Sequence, residues 1–372
     1  MNAERLHVLI TTDAVGGVFS HTLTLARALR ERDIEVSVVV LGPGPRADQL
    51  AQLQAVRPMG VHQLGTALEW MEDPWEDLQR ATAQLLELEV ELQPDVIHSG
   101  SYFCGQAGLM APVVVVAHSD VYSWWHGVWN CDPPQEWRRY RRLVAAGIAG
   151  ADAVVAPSQT MLAALRTHYG TLPARAEVIL NSVELDQRTA GKESFVLAAG
   201  RMWDRAKNLE ALTAVAEALP SPVLIAGDLP APPSDGVSEE SPAPNARLLG
   251  RLPAGELARL RRRARVFAAP SRYEPFGLSI LEAAGDRCAL VLGDIPSLRE
   301  LWDGVAEFAD PEDHELLLAK LSALLAHPGR AEQLGRRARL RAEQLTPAAM
   351  ADAYRALYRE LTRAAMETAC GL

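Results

Sequence analysis

The stretch Val266-Phe-Ala-Ala-Pro-Ser-Arg-Tyr-Glu-Pro-Phe-Gly-Leu-Ser-Ile-Leu-Glu-Ala-Ala284 joins an apolar run to a turn and then to a helical pattern. Val266–Ser271 reads as a buried strand, Pro275–Leu278 as the turn, and Leu278 onward as the first turns of a helix. Two carboxylates bracket the turn, Glu274 on the loop after the strand and Glu282 on the helix. Ligands of an open α/β sheet sit at this strand-to-helix junction. The unpaired amides of Gly277 and Leu278 would attract phosphate. Carboxylates only accept hydrogen bonds, so two of them beside a phosphate site suggest hydroxyl-rich groups such as ribose and sugar.

Working outward, short apolar runs alternate with helical patterns along the whole chain. In the first half the strand-like runs are Val8–Thr11, Glu35–Leu41, Val96–His98, Val113–Ala117, Ala153–Ala156 and Glu177–Leu180, with helices such as Ser20–Arg32 and Trp75–Leu92 between them. The segment Asn181–Ser194 is polar and aperiodic and reads as a linker. A second series follows: Phe195–Ala199, Pro222–Ala226, Arg247–Leu249, Val266–Pro270, Ala289–Leu292 and Ala306–Ala309. This pattern predicts βαβ units and parallel sheets. The expected architecture is α/β, two doubly wound Rossmann-like domains whose sheets face a central cleft, a favoured place for a ligand. The first domain spans 1–185 and the second 186–345. A closing helix, 346–372, crosses back to the first domain. Leu229–Asn245, rich in Pro, Ser, Asp and Glu, reads as a mobile surface loop.

The 372 residues are comfortable for two domains, and 48% of them are hydrophobic. The formal net charge of −10 and pI near 5.5 argue against nucleic acid as a partner. Cys104, Cys131, Cys288 and Cys370 form no Cys-x-x-Cys pair and are expected to be reduced. The chain enters a strand at Leu6–Ile10 with no signal-peptide layout, and no apolar run approaches the ~20 residues of a membrane span. A cytoplasmic protein is expected.

After the first strand of the second series comes Ala199-Gly-Arg-Met-Trp-Asp-Arg-Ala-Lys-Asn208. Arg201 and Lys207 stand just past the strand's end, before a helix, where two cations could neutralise a diphosphate. Fixed cations there would lower the barrier to departure of a nucleoside diphosphate. In the first half, Asp13-Ala-Val-Gly-Gly-Val-Phe-Ser20 is not Gly-x-Gly-x-x-Gly, and the second strand ends in Leu41-Gly42 without an acidic residue. Both facts weigh against a dinucleotide oxidoreductase. No His, Cys, Asp and Glu cluster has metal-ligand spacing, and no Asp-x-Asp follows a strand, so neither a metal nor a bound cofactor is expected.

Gly200-Arg201 with Lys207-Asn208, Pro270-Ser271, Glu274-Pro-Phe-Gly-Leu278 and Glu282-Ala283 together resemble the donor site of retaining family 4 glycosyltransferases of the GT-B fold. The resemblance extends over nearly the whole chain. It implies that Arg201 and Lys207 hold the donor diphosphate, that Glu282 bonds the ribose hydroxyls and that Glu274 contacts the transferred sugar. The amides of Phe276, Gly277 and Leu278 would hold sugar or phosphate oxygens. Gly16 and Gly17 would let the N-terminal loop approach the diphosphate. His118, which follows Val113–Ala117, would lie near the reaction centre. The chain departs from the family pattern at Ala284–Ala289, at Asn181-Ser-Val-Glu184 and after Gly227-Asp228.

The resemblance therefore implies a retaining, metal-independent hexosyltransferase. Its donor would be a nucleoside-diphosphate sugar such as UDP-glucose or GDP-mannose. The hydroxyl acceptor, a glycan, lipid or small metabolite, stays open. Asp120, Trp124 and Trp125 are candidates for the acceptor side, the tryptophans for stacking on a sugar or for packing. Trp137–Ala146 is a basic helix start that reads first as a solvated face and second as a contact for an anionic acceptor or a membrane surface. The rival functions are a nucleotide-sugar epimerase or hydrolase and a non-catalytic nucleotide-sugar-binding protein.

Overall fold

The computed structural model describes residues 5–228 and 243–369, in two compact units. The first unit takes the residues up to 126, 131–182 and those from 347 on; the second takes 127–130 and 183–346. The Pro- and Ser-rich insert falls mainly on residues 229–242, and Cys370 on 370–372, outside the described residues.

The first unit is built on a seven-stranded sheet. Its strands are β1 His7–Asp13, β2 Glu35–Leu41, β3 Val61–Gln63, β4 Val96–Ser99, β5 Val113–Val116, β6 Ala153–Ala156 and β7 Ala176–Val178. All pair in parallel, in the order β3-β2-β1-β4-β5-β6-β7. Such a sheet buries both faces, and the side chains divide with period two. Val8 and Ile10 of β1, with Val36, Val38 and Val40 of β2, pack into one core with Leu25, Leu29, Tyr354 and Tyr358. Leu9, Val39 and Leu41 point into the opposite core with Leu85, Tyr140, Val144 and Met161. The closing helix Pro347–Ala369 belongs to the first of these layers and packs against the helix Gly17–Arg30. Arg32 ties it down, with Nε donating to Asp352 at 2.8 Å.

The second unit repeats the plan with six parallel strands: β8 Glu193–Ala199, β9 Val223–Ala226, β10 Ala246–Gly250, β11 Ala264–Ala269, β12 Ala289–Gly293 and β13 Glu307–Ala309. Their order is β10-β9-β8-β11-β12-β13. Val196, Val223, Ile225, Val266 and Val291 pack against Leu212, Leu321 and Leu324. In both units the first strand is central and the winding reverses beside it. The switch points therefore lie between β1 and β4 and between β8 and β11, and ligands are expected at their C-terminal ends.

Several boundaries move from those expected. β3 carries one large apolar residue in three, too little to show as a run. β7 stops at Val178, where its ladder with Ala156 ends, so Ile179 and Leu180 lie beyond it. The first helix starts at Gly17 rather than Ser20, because Gly16 takes φ 79 and caps it. A close contact also escaped the pattern. The 3-10 turn Tyr102–Gln106 lies against the helix Arg138–Gly150, and a Cβ on Gly147 would fall 1.9 Å from the Tyr102 carbonyl oxygen.

Candidate active site

In the second unit, the loops after β8 and β11 meet at the switch point. The first loop runs through Gly200 and Arg201 to a 3-10 turn, Arg205–Lys207. Asp204 caps that turn, its carboxylate accepting from the Ala206 amide at 3.0 Å. Asn208 then adopts a left-handed conformation, φ 57, and its side chain accepts from the Ala211 amide to start the helix Leu209–Ala216. The Asn208 side-chain Nδ2 donates to the carbonyls of Pro270 (3.0 Å) and Pro311 (2.8 Å). The Arg272 amide donates to the Ala206 carbonyl at 2.9 Å. The two loops are thus stitched together by one side-chain and one backbone hydrogen bond.

This stitching brings Lys207 to Glu274, whose Oε2 lies 2.5 Å from Nζ. The side chains are 19% and 12% exposed, so the pair is largely shielded yet open at one side. Ser297 Oγ donates to the Glu274 carbonyl at 2.6 Å and fixes the carboxylate's backbone. Gly277 follows at φ 89 and caps the helix Leu278–Gly285, its carbonyl accepting from the amides of Ile280 and Leu281 at 3.0 Å, so that only the amides ahead of these lack an intrahelical acceptor. A Cβ at Gly277 would press on Ile280 Cδ1 at 2.7 Å. Phe276 is 3% exposed and anchors the turn in the core.

Arg201 is more open. Its Nη2 donates to Asp204 at 3.2 Å, and its guanidinium lies 5.6 Å from the centre of the Trp203 ring. Glu282 stands one turn into its helix, paired with Arg261 Nη1, and Arg261 Nε donates to Asp286. Burial raises the Glu282 carboxyl from its ordinary value, and the Arg261 guanidinium opposes that. The resemblance gave Glu282 the ribose hydroxyls; here it already has a cationic partner, and 34% of its side chain stays exposed.

Two glycines to which the sequence reading gave no role permit this geometry. A Cβ on Gly227, at φ 129, would lie 1.8 Å from the Gly200 carbonyl oxygen; one on Gly293 would lie 2.2 Å from that of Ser271. Each sits at the end of a neighbouring strand and lets the site loop lie against it. Their signal in the sequence was position alone, a glycine closing β12 and another just after β9.

At the switch point of the first unit, Gly16 begins the helix Gly17–Arg30, and Asp13 Oδ1 accepts from the Val15 amide at 2.7 Å. His118 follows β5, its ring 4.8 Å from that of His21 in an edge-on contact. His21 lies 6.2 Å from His98, and His98 Nδ1 is hydrogen-bonded to Tyr358 Oη at 2.7 Å. Burial depresses all three imidazoles, His98 to about 3 and His118 to about 4. Both ring nitrogens of His21 are buried without a hydrogen-bond partner. His118 is therefore neutral at physiological pH and can only exchange hydrogen bonds as an uncharged imidazole.

Asp120 is 4% exposed and acts as a cap. Its Oδ1 accepts from the Ser123 amide (2.8 Å) and from Tyr169 Oη (2.7 Å). Trp124 and Trp125 lie on the helix Val121–Trp129, half-buried, in mutual edge contact at 5.9 Å. The sequence reading also missed Glu69, which is buried and accepts from the amides of Tyr102 (3.1 Å) and Phe103 (3.2 Å). Burial lifts its carboxyl to about 7. Among the described residues no group of three His, Cys, Asp or Glu could hold a metal, and no helix is long and apolar enough to cross a membrane.

Comparison with known proteins gives the family and the fold. The glycosyltransferase family 4 model matches residues 15–187, and the glycosyl transferases group 1 model matches 193–327. The alpha-maltose-1-phosphate synthase of Mycolicibacterium smegmatis is 26% identical, across 86% of this chain and 96% of that protein. The D-inositol 3-phosphate glycosyltransferase of Segniliparus rotundus is also 26% identical, over 72% of this chain and 66% of its own length. Among solved structures, sucrose-phosphate synthase from Thermosynechococcus elongatus superposes with a TM-score of 0.78 at 18% identity, covering 97% of this chain and all of that one. Anabaena HepE, in complex with UDP and glucose, gives 0.74 at 14% identity over 96% of this chain and all of that one. Both sheets and both switch points are those of GT-B proteins, and the chain belongs to the family 4, group 1 glycosyltransferases.

Proposed function

We propose that this glycosyltransferase moves a hexose from a nucleoside-diphosphate sugar to a hydroxyl acceptor with retention at the anomeric carbon and without a catalytic metal. The observation that carries the reading is the shielded Lys207–Glu274 pair beside the start of the helix Leu278–Gly285. Lys207 and the orphan amides would face the diphosphate, and Arg201 would reach its outer oxygens. Glu274 would hold a sugar hydroxyl and keep Lys207 in place. Negative charge grows on the diphosphate as the anomeric C–O bond breaks, and fixed cations and amides stabilise it without reorganising. The acceptor oxygen then bonds to the anomeric carbon from the same face, and its proton passes to the departing phosphate oxygen. No side-chain base is needed, which suits a His118 held neutral by burial.

The relatives' names favour a phosphorylated small molecule among the glycan, lipid and metabolite acceptors. One relative makes maltose 1-phosphate, and another acts on D-inositol 3-phosphate. The test is a donor and acceptor screen in EDTA, with proton NMR of the product's anomeric signal. An α-linked product from an α-linked donor supports the proposal. An inverted product, loss of turnover in EDTA, or donor hydrolysis regardless of acceptor would each refute part of it.

A further inference from the structure

The second unit also has an opening at the other end of its sheet. A cavity of about 540 Å³ lies against the N-terminal ends of β8, β11 and β12. β8 spans seven residues, so this cavity is about 20 Å from the C-terminal edge that carries Lys207. Its wall is formed by the segment Asp186–Lys192, by residues before β11 and β12, and by the start of the helix Pro328–Ala342.

Seven basic and three acidic side chains line it, in a chain whose net charge is −10. The acidic groups are already taken. Asp186 receives Arg188 and Arg262, Asp286 receives Arg261, and Glu332 receives Arg336. Arg339 is paired with Glu343, outside the cavity wall, and three cations are left with neutral acceptors or none. Lys192 Nζ donates to the Asp286 carbonyl at 2.8 Å. Arg265 Nη1 donates to Ser194 Oγ and the Leu325 carbonyl, both at 3.0 Å. Arg287 is exposed and has no acidic partner among the described residues. The helix Pro328–Ala342 adds the positive end of its dipole.

We infer that this back cavity of the second unit is an anion site, separate from the donor site, for a small organic phosphate carrying at least two negative charges. The volume lies within the ~300–1,000 Å³ of small-molecule sites and is far larger than one inorganic ion requires. Uncompensated cations around one cavity repel each other, and a dianion between Lys192, Arg265 and Arg287 relieves that repulsion. Its occupant would also hold Asp186–Lys192, the segment that enters β8, against the sheet. Arg339 already ties that segment from below, with Nη1 donating to the Asp186 carbonyl at 3.0 Å.

Hydrogen exchange of the full chain, read by mass spectrometry, tests this. The probes are glucose 6-phosphate and inorganic pyrophosphate, with glucose as the neutral control. Both anions should slow exchange at 186–192 and around 329–332, in wild type and in Lys207→Ala alike. Arg287→Gly suits a position at φ 61 and should fold as wild type. It should weaken the apparent affinity read at 186–192 about tenfold, and Arg265→Gln by a similar factor. Stronger protection by glucose 6-phosphate than by pyrophosphate marks an organic phosphate as the ligand; the reverse order overturns that assignment. Protection confined to 200–208 and 271–278, or unaltered affinity at 186–192 in both arginine variants, overturns the site.

Discussion

Acidification should separate the buried histidines of the first unit from its buried glutamate. His98 and His118 have folded values of about 3 and 4, below the ordinary 6.5. Their stabilising contribution is present above pH 6.5 and is lost as the pH falls toward those folded values, because only the unfolded chain takes up the protons. At pH 5 each removes about 2 kcal/mol, together about 4 kcal/mol. Glu69 acts the other way. Its folded carboxyl, at about 7 against an ordinary 4.5, binds a proton before the unfolded chain does. Between pH 8 and pH 5 it returns about 2.5 kcal/mol. The wild-type loss over that interval is then about 1.5 kcal/mol from these three groups, with His21 adding to it in the same direction. Asp186, held low at about 2 by its hydrogen bonds with Arg188, titrates below this window.

The variants make the reasoning sharp. Glu69→Gln removes the compensating group, and the loss between pH 8 and pH 5 should grow to about 4 kcal/mol. His98→Asn should shrink the wild-type loss by about 2 kcal/mol. Each variant also changes absolute stability, so the quantity to read is the slope with pH. Two units need not unfold together, so a global melt is the wrong assay. Hydrogen exchange at β1, β4 and β5, corrected for the intrinsic pH dependence of exchange, reports the opening free energy of the first unit alone. Equal slopes in wild type, Glu69→Gln and His98→Asn would refute the assignment of these groups as buried and neutral.

The remaining predictions concern the switch point of the second unit. Lys207→Ala and Glu274→Ala should each lower the transfer rate at least about a hundredfold with far-UV circular dichroism unchanged, and near-wild-type turnover in either would sink the site. Glu274→Gln should tighten binding of the nucleoside diphosphate product in calorimetry, because it frees the Lys207 charge, while kcat falls; weaker binding would place Lys207 away from the diphosphate. Gly293→Ala, whose Cβ would meet the Ser271 carbonyl, should cost the second unit about 2 kcal/mol or more, read by hydrogen exchange at β11 and β12, and raise KM for the donor; an unchanged KM would mean that the loop does not carry the donor.

Much of this was legible before the fold was known, for identifiable reasons. Parallel strands buried on both faces read as unbroken apolar runs, so Glu35–Leu41 and Ala153–Ala156 could be bounded to the residue. Lys207 and Glu274 could be expected in one region because both follow strands of the second series, but their ion pair was not foreseen. The short β3 could not be read, since three residues with one valine carry no period. Nor could the glycines at 227 and 293, whose role is a contact with loops 27 and 22 residues away in sequence. The capping role of Asp120 depends on Tyr169, and the partner of Glu282 is an arginine on the preceding helix. The histidine cluster was the least legible, since His21, His98, His118, Tyr354 and Tyr358 come from four separate stretches.

The two switch points differ in electrostatic character, and the difference bears on mechanism. In the second unit a shielded lysine, an arginine and a helix start concentrate positive potential where a diphosphate would depart. In the first unit three imidazoles are held neutral by burial at the corresponding strand ends. His118 is held neutral by burial, beside a buried His21 whose ring nitrogens have no hydrogen-bond partner. Protonating either ring would place a charge where nothing nearby compensates it. Turnover should then be flat from pH 8 down to the acid limit set by stability, rather than falling with a midpoint near 6.5 as a cationic histidine acid would require.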